Sequence, residues 1–340
     1  GYARAVIVNS GNANTCNADG IEIADGMCAL VEKHCGIPAS DVVIASTGVI
    51  GQKLSLEPIA GGMKELVEGL ESTPGGSLAA AEAIMTTDTV PKELAYEFQL
   101  GEIKCRIGAI CKGVGMLCPN MATMLMFITT DVSISPEMLQ KALSADVKDS
   151  LNMVSVDRDT STNDTLCVMA SGLAGNAVID RADTDYKKFC RALHAVTTAL
   201  CKKIAADGEG ATKLIECNVT GAKSKQIART VAKSVVCSNL LKAAIFGADA
   251  NWGRVLCAIG YSGAAVNVKK IGVSFTSAAG EIEVCEEGMG IDFSEDAAKK
   301  VLSEKEIGIQ VNLHDGNYGA TAWGCDLTYE YVHINGDYRS

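Results

Sequence analysis

The chain has 340 residues, 48 % hydrophobic and with 34 glycines, which is the composition of a globular protein able to bury a sizeable core in two domains or one large one. Its formal charge of −11, with Lys and Arg dispersed in short groups such as Lys202-Lys203, excludes a nucleic-acid surface, because phosphate binding needs clustered cations. The 14 cysteines include no C-x-x-C pair and the four histidines (His34, His194, His314, His333) lie far apart, so no metal motif is indicated and free thiols in a reducing cytoplasm fit best. No apolar run is long enough to predict a membrane span, and the expected setting is cytoplasmic.

Gly1 is not a natural initiator, so a preceding segment is expected. Ala5-Val6-Ile7-Val8 reads as a short buried strand leading into a polar turn at Asn9–Asn14. Helical spacing runs from Ile23 to His34 and stops at Gly36, a residue suited to a left-handed cap. A strand at Val42–Ala45 enters Ser46-Thr47-Gly48, and helices are predicted at Glu57–Glu71 and Ser77–Met85. From Ala95 two strands joined by Leu100-Gly101-Glu102 reach Cys111. After the glycine-rich run Lys112–Thr123 and the apolar Met124–Ile128, helices are predicted at Pro136–Leu151 and Tyr186–Ala206. Asp207-Gly208-Glu209-Gly210 ends the second before a strand at Lys213–Val219. Beyond residue 220 the pattern predicts a helix at Ala228–Ala244, a hairpin across Gly280, a helix at Glu295–Glu304 and a strand at Gly308–Leu313. Strands and helices interleave without long sequential parallel units, so the fold class is mixed α+β in layers. The division expected is a main domain at 1–220 and a smaller one at 221–340.

Pro119-Asn120-Met121-Ala122-Thr123 is the segment richest in chemistry. No Ser/His/Asp arrangement stands out to activate a hydroxyl. A Thr that becomes N-terminal escapes that need, since its own α-amine titrates at about 7.7–8.0. The small Ala122 leaves its carbonyl open to the Thr123 hydroxyl, and Gly113, Gly115 and Pro119 shape an irregular approach. On spacing alone, a Thr opening a buried strand is the simpler reading.

The run from Lys112 through Thr123 to Asp131 resembles the processing site of the ornithine acetyltransferase (glutamate N-acetyltransferase) family. Val8–Asn14, Ala45–Gly51, Met85–Thr89, Asp207–Thr212, Phe246–Arg254, Ala320–Trp323 and Ile334–Ser340 also resemble family blocks, in family order and across essentially the whole chain. Two departures stand out: the family's N-terminal stretch before Val8 is absent, and Gly336 stands where a small residue such as Ala is expected.

The resemblance implies a layered α/β/β/α sandwich with a smaller C-terminal α/β domain, and scission between Ala122 and Thr123 into α and β chains that stay together as α2β2. Thr123 would be the nucleophile in scission and then accept acetyl from N-acetylornithine, releasing ornithine. Glutamate would attack the ester to give N-acetylglutamate; whether acetyl-CoA also serves as donor stays open. Thr47 and Gly48 would form the oxyanion hole, although Ser46-Thr47-Gly48 by itself reads as a strand exit. Thr89, Lys112, Thr123, Glu209, Asn335 and Ser340 match substrate-binding positions. Lys112 suits an α-carboxylate and Glu209 an ammonium group. No cofactor, metal, nucleic acid or membrane is implied.

Two other readings remain at this level. A self-processing aminopeptidase or amidase of related fold would pass the acyl group to water, which Lys112 and Glu209 disfavour. A non-catalytic amino-acid-binding relative would have no use for Ala122-Thr123 beside Thr47-Gly48, and would run as a single uncut chain.

Overall fold

β-Branched residues open the chain as a strand. In the computed structural model, which describes residues 1–116 and 124–337, β1 (Ala5–Asn12) and β2 (Val42–Val49) pair in parallel from Ala5 beside Val42 to Asn12 beside Val49. Both strands outrun the sequence expectation. The polar stretches expected to turn away, Asn9–Asn12 and Ser46-Thr47-Gly48, instead pair with each other and so satisfy their backbone groups. The crossover holds α1 (Gly20–Cys35), which ends at Gly36 in the left-handed conformation anticipated (φ 66°). Its Ile23, Met27 and Val31 pack with Ile7, Leu54 and Met63 of the following α2 (Leu56–Glu68). A short α3 (Pro74–Ala83) follows, its first turn capped by the Thr73 hydroxyl.

The hairpin expected at Gly101 is present as β3 (Lys92–Leu100) and β4 (Ile103–Lys112). It is extended by β5 (Leu125–Thr130), and after α4 (Pro136–Asp146) and the short β6 (Val154–Ser155) by β7 (Thr165–Ala170). The resulting four-stranded sheet has the order β3-β4-β5-β7. The long α5 (Thr184–Ala206) then leads to β8 (Leu214–Ala222) and the helices α6 (Lys225–Val236), α7 (Asn239–Phe246) and α8 (Trp252–Gly260). Strands β9 (Gly272–Ser277), β10 (Gly280–Glu286) and β11 (Met289–Gly290), α9 (Glu295–Leu302), β12 (Glu306–Asn312), β13 (Tyr318–Cys325) and α10 (Tyr329–Asp337) complete the chain. A seven-stranded sheet, β11-β10-β9-β12-β8-β13-β6, joins strands from both sides of residue 220.

Helix α5 is a layer shared by the two larger sheets. Phe189 lies 6.5 Å from the Phe98 ring on β3, and Lys202 pairs with Glu216 of β8 at 2.6 Å. On the opposite face of β8 and β13 lies α6, so close that a side chain at Gly324 would press on Val236. Alternation along β5 sends Met126 and Ile128 into the main core, while Leu125 and Phe127 cluster with Ala45 of β2. The end of β2 is thereby held against the start of β5.

The mixed α+β layered class is the one expected, but some elements differ. The helix expected at Ala228–Ala244 is two, because the Ser238 hydroxyl accepts from the Leu241 N–H and starts a new one. The helix expected to reach Leu151 stops at Asp146, whose backbone carbonyl and carboxylate both accept from the Ser150 hydroxyl. Strands β7 and β13 and helices α8 and α10 have no counterpart among the expected elements. Among the described residues no helix is long and apolar enough to cross a membrane, and no group of three or more His, Cys, Asp or Glu is placed to hold a metal ion.

Candidate active site

The site begins where β3 and β4 bring two lysines into the protein. Lys92 is fully buried and donates to Asp88 Oδ1 at 2.7 Å and to Asp207 Oδ2 at 2.6 Å. Asp88 also accepts the backbone N–H groups of Gly113 (2.9 Å) and Thr86 (3.2 Å). Burial alone would raise the Asp88 carboxyl, but Lys92, Lys112 and the Gly113 N–H outweigh it and hold it below the usual carboxylate range.

Lys112, the last residue of β4, donates to Thr86 Oγ1 at 2.7 Å and lies 4.0 Å from Asp88 Oδ2. Burial pulls its ammonium below the ordinary lysine value, against the pull of Asp88, Glu209 and Asp164. It is a desolvated cation with a carboxylate close by but no tight ion pair.

Glu209 arrives from the turn after α5, its N–H donating to Val114 O at 2.9 Å. Its carboxylate accepts from Thr87 Oγ1 at 2.9 Å and from Asn335 Nδ2 at 2.7 Å. The carboxylate fills the space a side chain at Gly115 would need, which explains glycine there. Helix α10 is docked over this turn: Thr328 Oγ1 donates to Gly210 O at 2.7 Å, and Tyr331 OH reaches Asp157 Oδ2 at 3.3 Å. Burial, with Asp157 and Glu209 nearby, pushes the Tyr331 phenol well above its ordinary value.

One loop pins both flanks of the segment that carries the proposed scission. Met116 N–H donates to Asp157 Oδ2 and Met124 N–H to Asp164 Oδ1, each at 2.6 Å. Asn163 in the same loop accepts from Thr15 at 2.7 Å, tying in the segment that follows β1. Asp164 is raised to about 7 by burial, which the Met124 N–H and Lys112 only partly offset. Its Oδ2 is buried with no hydrogen-bond partner among the described residues. At the end of β2, Ser46 and Thr47 are buried, and Gly48 (φ 123°) packs against the Gly11 backbone so closely that any side chain would overlap it.

Of the residues anticipated from sequence, Lys112, Glu209 and Asn335 meet around Thr86-Thr87-Asp88, and Thr47 with Gly48 ends β2. Thr89 stands apart from them: it is exposed, and its hydroxyl and N–H both donate to Asp207. Ala122, Thr123 and Ser340 lie outside the described residues. Asn335 belongs to the docked helix α10. Sequence reasoning missed Asp88, Lys92, Asp207, Asp157, Asp164 and Tyr331. The polar run Ser161-Thr162-Asn163-Asp164 before β7 was a usable signal, whereas nothing local links Lys92 to Asp207.

A layered α+β fold that gathers a buried lysine and a buried carboxylate, Lys112 and Glu209, around Thr86-Thr87-Asp88 is the framework of an enzyme. The ArgJ family matches residues 1–340. The arginine biosynthesis bifunctional protein ArgJ 1 of Clostridium acetobutylicum is 51 % identical over 99 % of this chain and 82 % of its own length. The corresponding protein of Caldanaerobacter subterraneus subsp. tengcongensis is 48 % identical over 100 % of this chain and 84 % of its own. A crystal structure of the arginine biosynthesis bifunctional protein argJ from Bacillus halodurans, 50 % identical, is similar with a TM-score of 0.60 over 62 % of this chain and 98 % of that chain. The chain belongs to the ArgJ family and is an enzyme of arginine biosynthesis.

Proposed function

We propose that this enzyme moves acetyl from N-acetylornithine to glutamate through an acetyl ester on Thr123, after scission between Ala122 and Thr123. The observation that carries the reading is the meeting of Lys112 and Glu209, a buried cation and a buried carboxylate. They come from distant segments, and Asn335 of the last helix donates to Glu209. Such a pair suits a substrate with both a carboxylate and an ammonium group. Lys112 is free to turn from the Thr86 hydroxyl to an α-carboxylate, and Glu209 to exchange neutral donors for a cationic amine. Both N-acetylornithine and glutamate carry the α-carboxylate, so one pocket serves both half-reactions and the acetyl group waits on the enzyme between them.

Thr47 and Gly48 are the proposed oxyanion donors. The end of β2 is suited to this because its residues are buried and its glycine conformation is imposed by the Gly11 contact. The α and β chains are proposed to remain associated as α2β2, with Thr89 and Ser340 at the substrate's margin. The word "bifunctional" in the relatives' names favours a second activity, for which acetyl-CoA as an alternative donor to glutamate is the reading offered.

Intact mass measurement with a donor assay tests this. Thr123→Ala should leave one uncut chain without transfer; two fragments from that variant would overturn the intramolecular mechanism. Thr47→Ala should lower kcat about 10²–10³-fold with little change in substrate affinity. Weakened binding at unchanged kcat would make Thr47 a substrate ligand instead. Release of acetate to water with no transfer to glutamate would favour the amidase reading.

A further inference from the structure

The register of β3 and β4 sets two lysines close together. Lys92 stands opposite Cys111, so Lys112 follows one residue further along the partner strand. Both are buried, and two ammonium groups in one dry place repel each other unless anions lie between them. Asp88 is the anion they share, and it is divided unequally. Its Oδ1 accepts from Lys92 Nζ at 2.7 Å and from the Gly113 N–H at 2.9 Å, while Oδ2 accepts the Thr86 N–H at 3.2 Å. Lys112 Nζ stays 4.0 Å from that Oδ2 and donates to the Thr86 hydroxyl at 2.7 Å instead. Lys92 has no donor to spare: its other two reach Asp207 Oδ2 at 2.6 Å and Val90 O at 3.3 Å.

We propose that Lys92 is a positioning residue for substrate binding: by occupying Asp88 it keeps Lys112 out of an ion pair and leaves the Lys112 ammonium open to a substrate carboxylate. This rests on the reading of Lys112 as the partner of the α-carboxylate. A lysine already paired with a buried carboxylate has to break that pair before it can bind another. A hydroxyl partner is neutral and is exchanged at lower cost. Without Lys92, the charge of Asp88 falls to Lys112, and the substrate then competes with Asp88 for one ammonium. The charged groups facing Lys112 are Asp88 ahead of β3, Lys92 on β3, Glu209 from the turn after α5 and Asp164 ahead of β7. Burial is the main influence lowering the Lys112 ammonium; Asp88 opposes it, Lys92 adds to it, and Glu209 and Asp164 oppose it in turn.

The experiment is isothermal titration calorimetry of the enzyme with ornithine and with glutamate, from about pH 6 to 10. Neither ligand carries acetyl, so binding is read without transfer. Lys92→Met should weaken both ligands about 10-fold near neutral pH. Carboxylate binding needs Lys112 charged, so affinity falls as pH rises through its lowered value, and loss of the Lys92 charge should move that fall to higher pH. Adding Asp88→Asn to Lys92→Met removes the competing anion; it should recover part of the affinity and move the fall back to lower pH. A folded Lys92→Met enzyme with wild-type affinity overturns the proposal, and so does weakened binding with the wild-type pH dependence, which is what a purely structural strut would give. Lys92→Gln, which keeps an uncharged donor beside Asp88, should show the same changes where Lys92→Met does not fold; if neither folds, the lysine is a strut and the proposal falls. Lys112→Met separates the two claims. If it binds both ligands as the wild type does, Lys112 is not the carboxylate partner. If it loses them while Lys92→Met matches the wild type, only the role of Lys92 is wrong.

Discussion

Asp88 and Asp164 are two buried carboxylates, both within the electrostatic reach of Lys112, and the protein treats them oppositely. Asp88 has its side chain wholly out of solvent but receives the Lys92 ammonium and two backbone N–H groups, and it stays ionised below the usual range. Asp164 receives one N–H, has no partner for its other oxygen among the described residues, and rises to about 7. Burial sets the cost of the charge in both places, and the number of donors decides whether that cost is met. The first arrangement makes a fixed anion that can hold Lys92, Lys112 and the Gly113 turn in position. The second makes a group that changes charge near neutrality while holding the Met124 N–H.

The comparison breaks most sharply at Lys92. Lys92→Met removes the cation from between Asp88 and Asp207 and leaves two buried carboxylates facing each other, so it should cost about 3–5 kcal/mol by denaturant unfolding. A loss below about 1 kcal/mol would mean that the donors around Asp88 suffice without the lysine. Next in size, Lys112→Met should raise KM for N-acetylornithine and glutamate together, by an amount equivalent to about 2–5 kcal/mol, and still allow scission. Glu209→Gln should harm the ornithine side more than the glutamate side. Unchanged KM values for both substrates in Lys112→Met would make that lysine a structural partner of Asp88.

The smallest effect concerns stability against pH, best measured on Thr123→Ala, which the proposed mechanism expects to stay uncut. Asp88 is depressed in the folded state, so its contribution is present above the unfolded carboxylate value of about 3.9 and is lost as pH falls. Asp164 is raised, so between about 4 and 7 the folded chain holds a proton that the unfolded chain has released, and stability declines as pH rises through that window. Adding Asp164→Asn should flatten this decline and lift the melting temperature at pH above about 7 relative to pH near 5. An unaltered profile would show Asp164 to be an ordinary, solvated carboxylate.

Much of the framework was legible in the chain alone. The β-branched run at Ala5, the Gly36 helix stop and the Gly101 hairpin are local events, set by side-chain shape and the freedom of glycine within a few residues of chain. The blocks around Lys112, Glu209 and Thr47-Gly48 were likewise visible as sequence. Partnership was not. Nothing local joins Lys92 to Asp207, or Asn335 to Glu209, until the chain folds. The sequence by itself determined where strands and helices could start and stop, and which residue types stood ready for acyl chemistry, because those depend on short-range sterics and functional groups. Only the tertiary structure decided which charges are buried and which are met, because desolvation and pairing depend on neighbours that the chain brings together from far along its length.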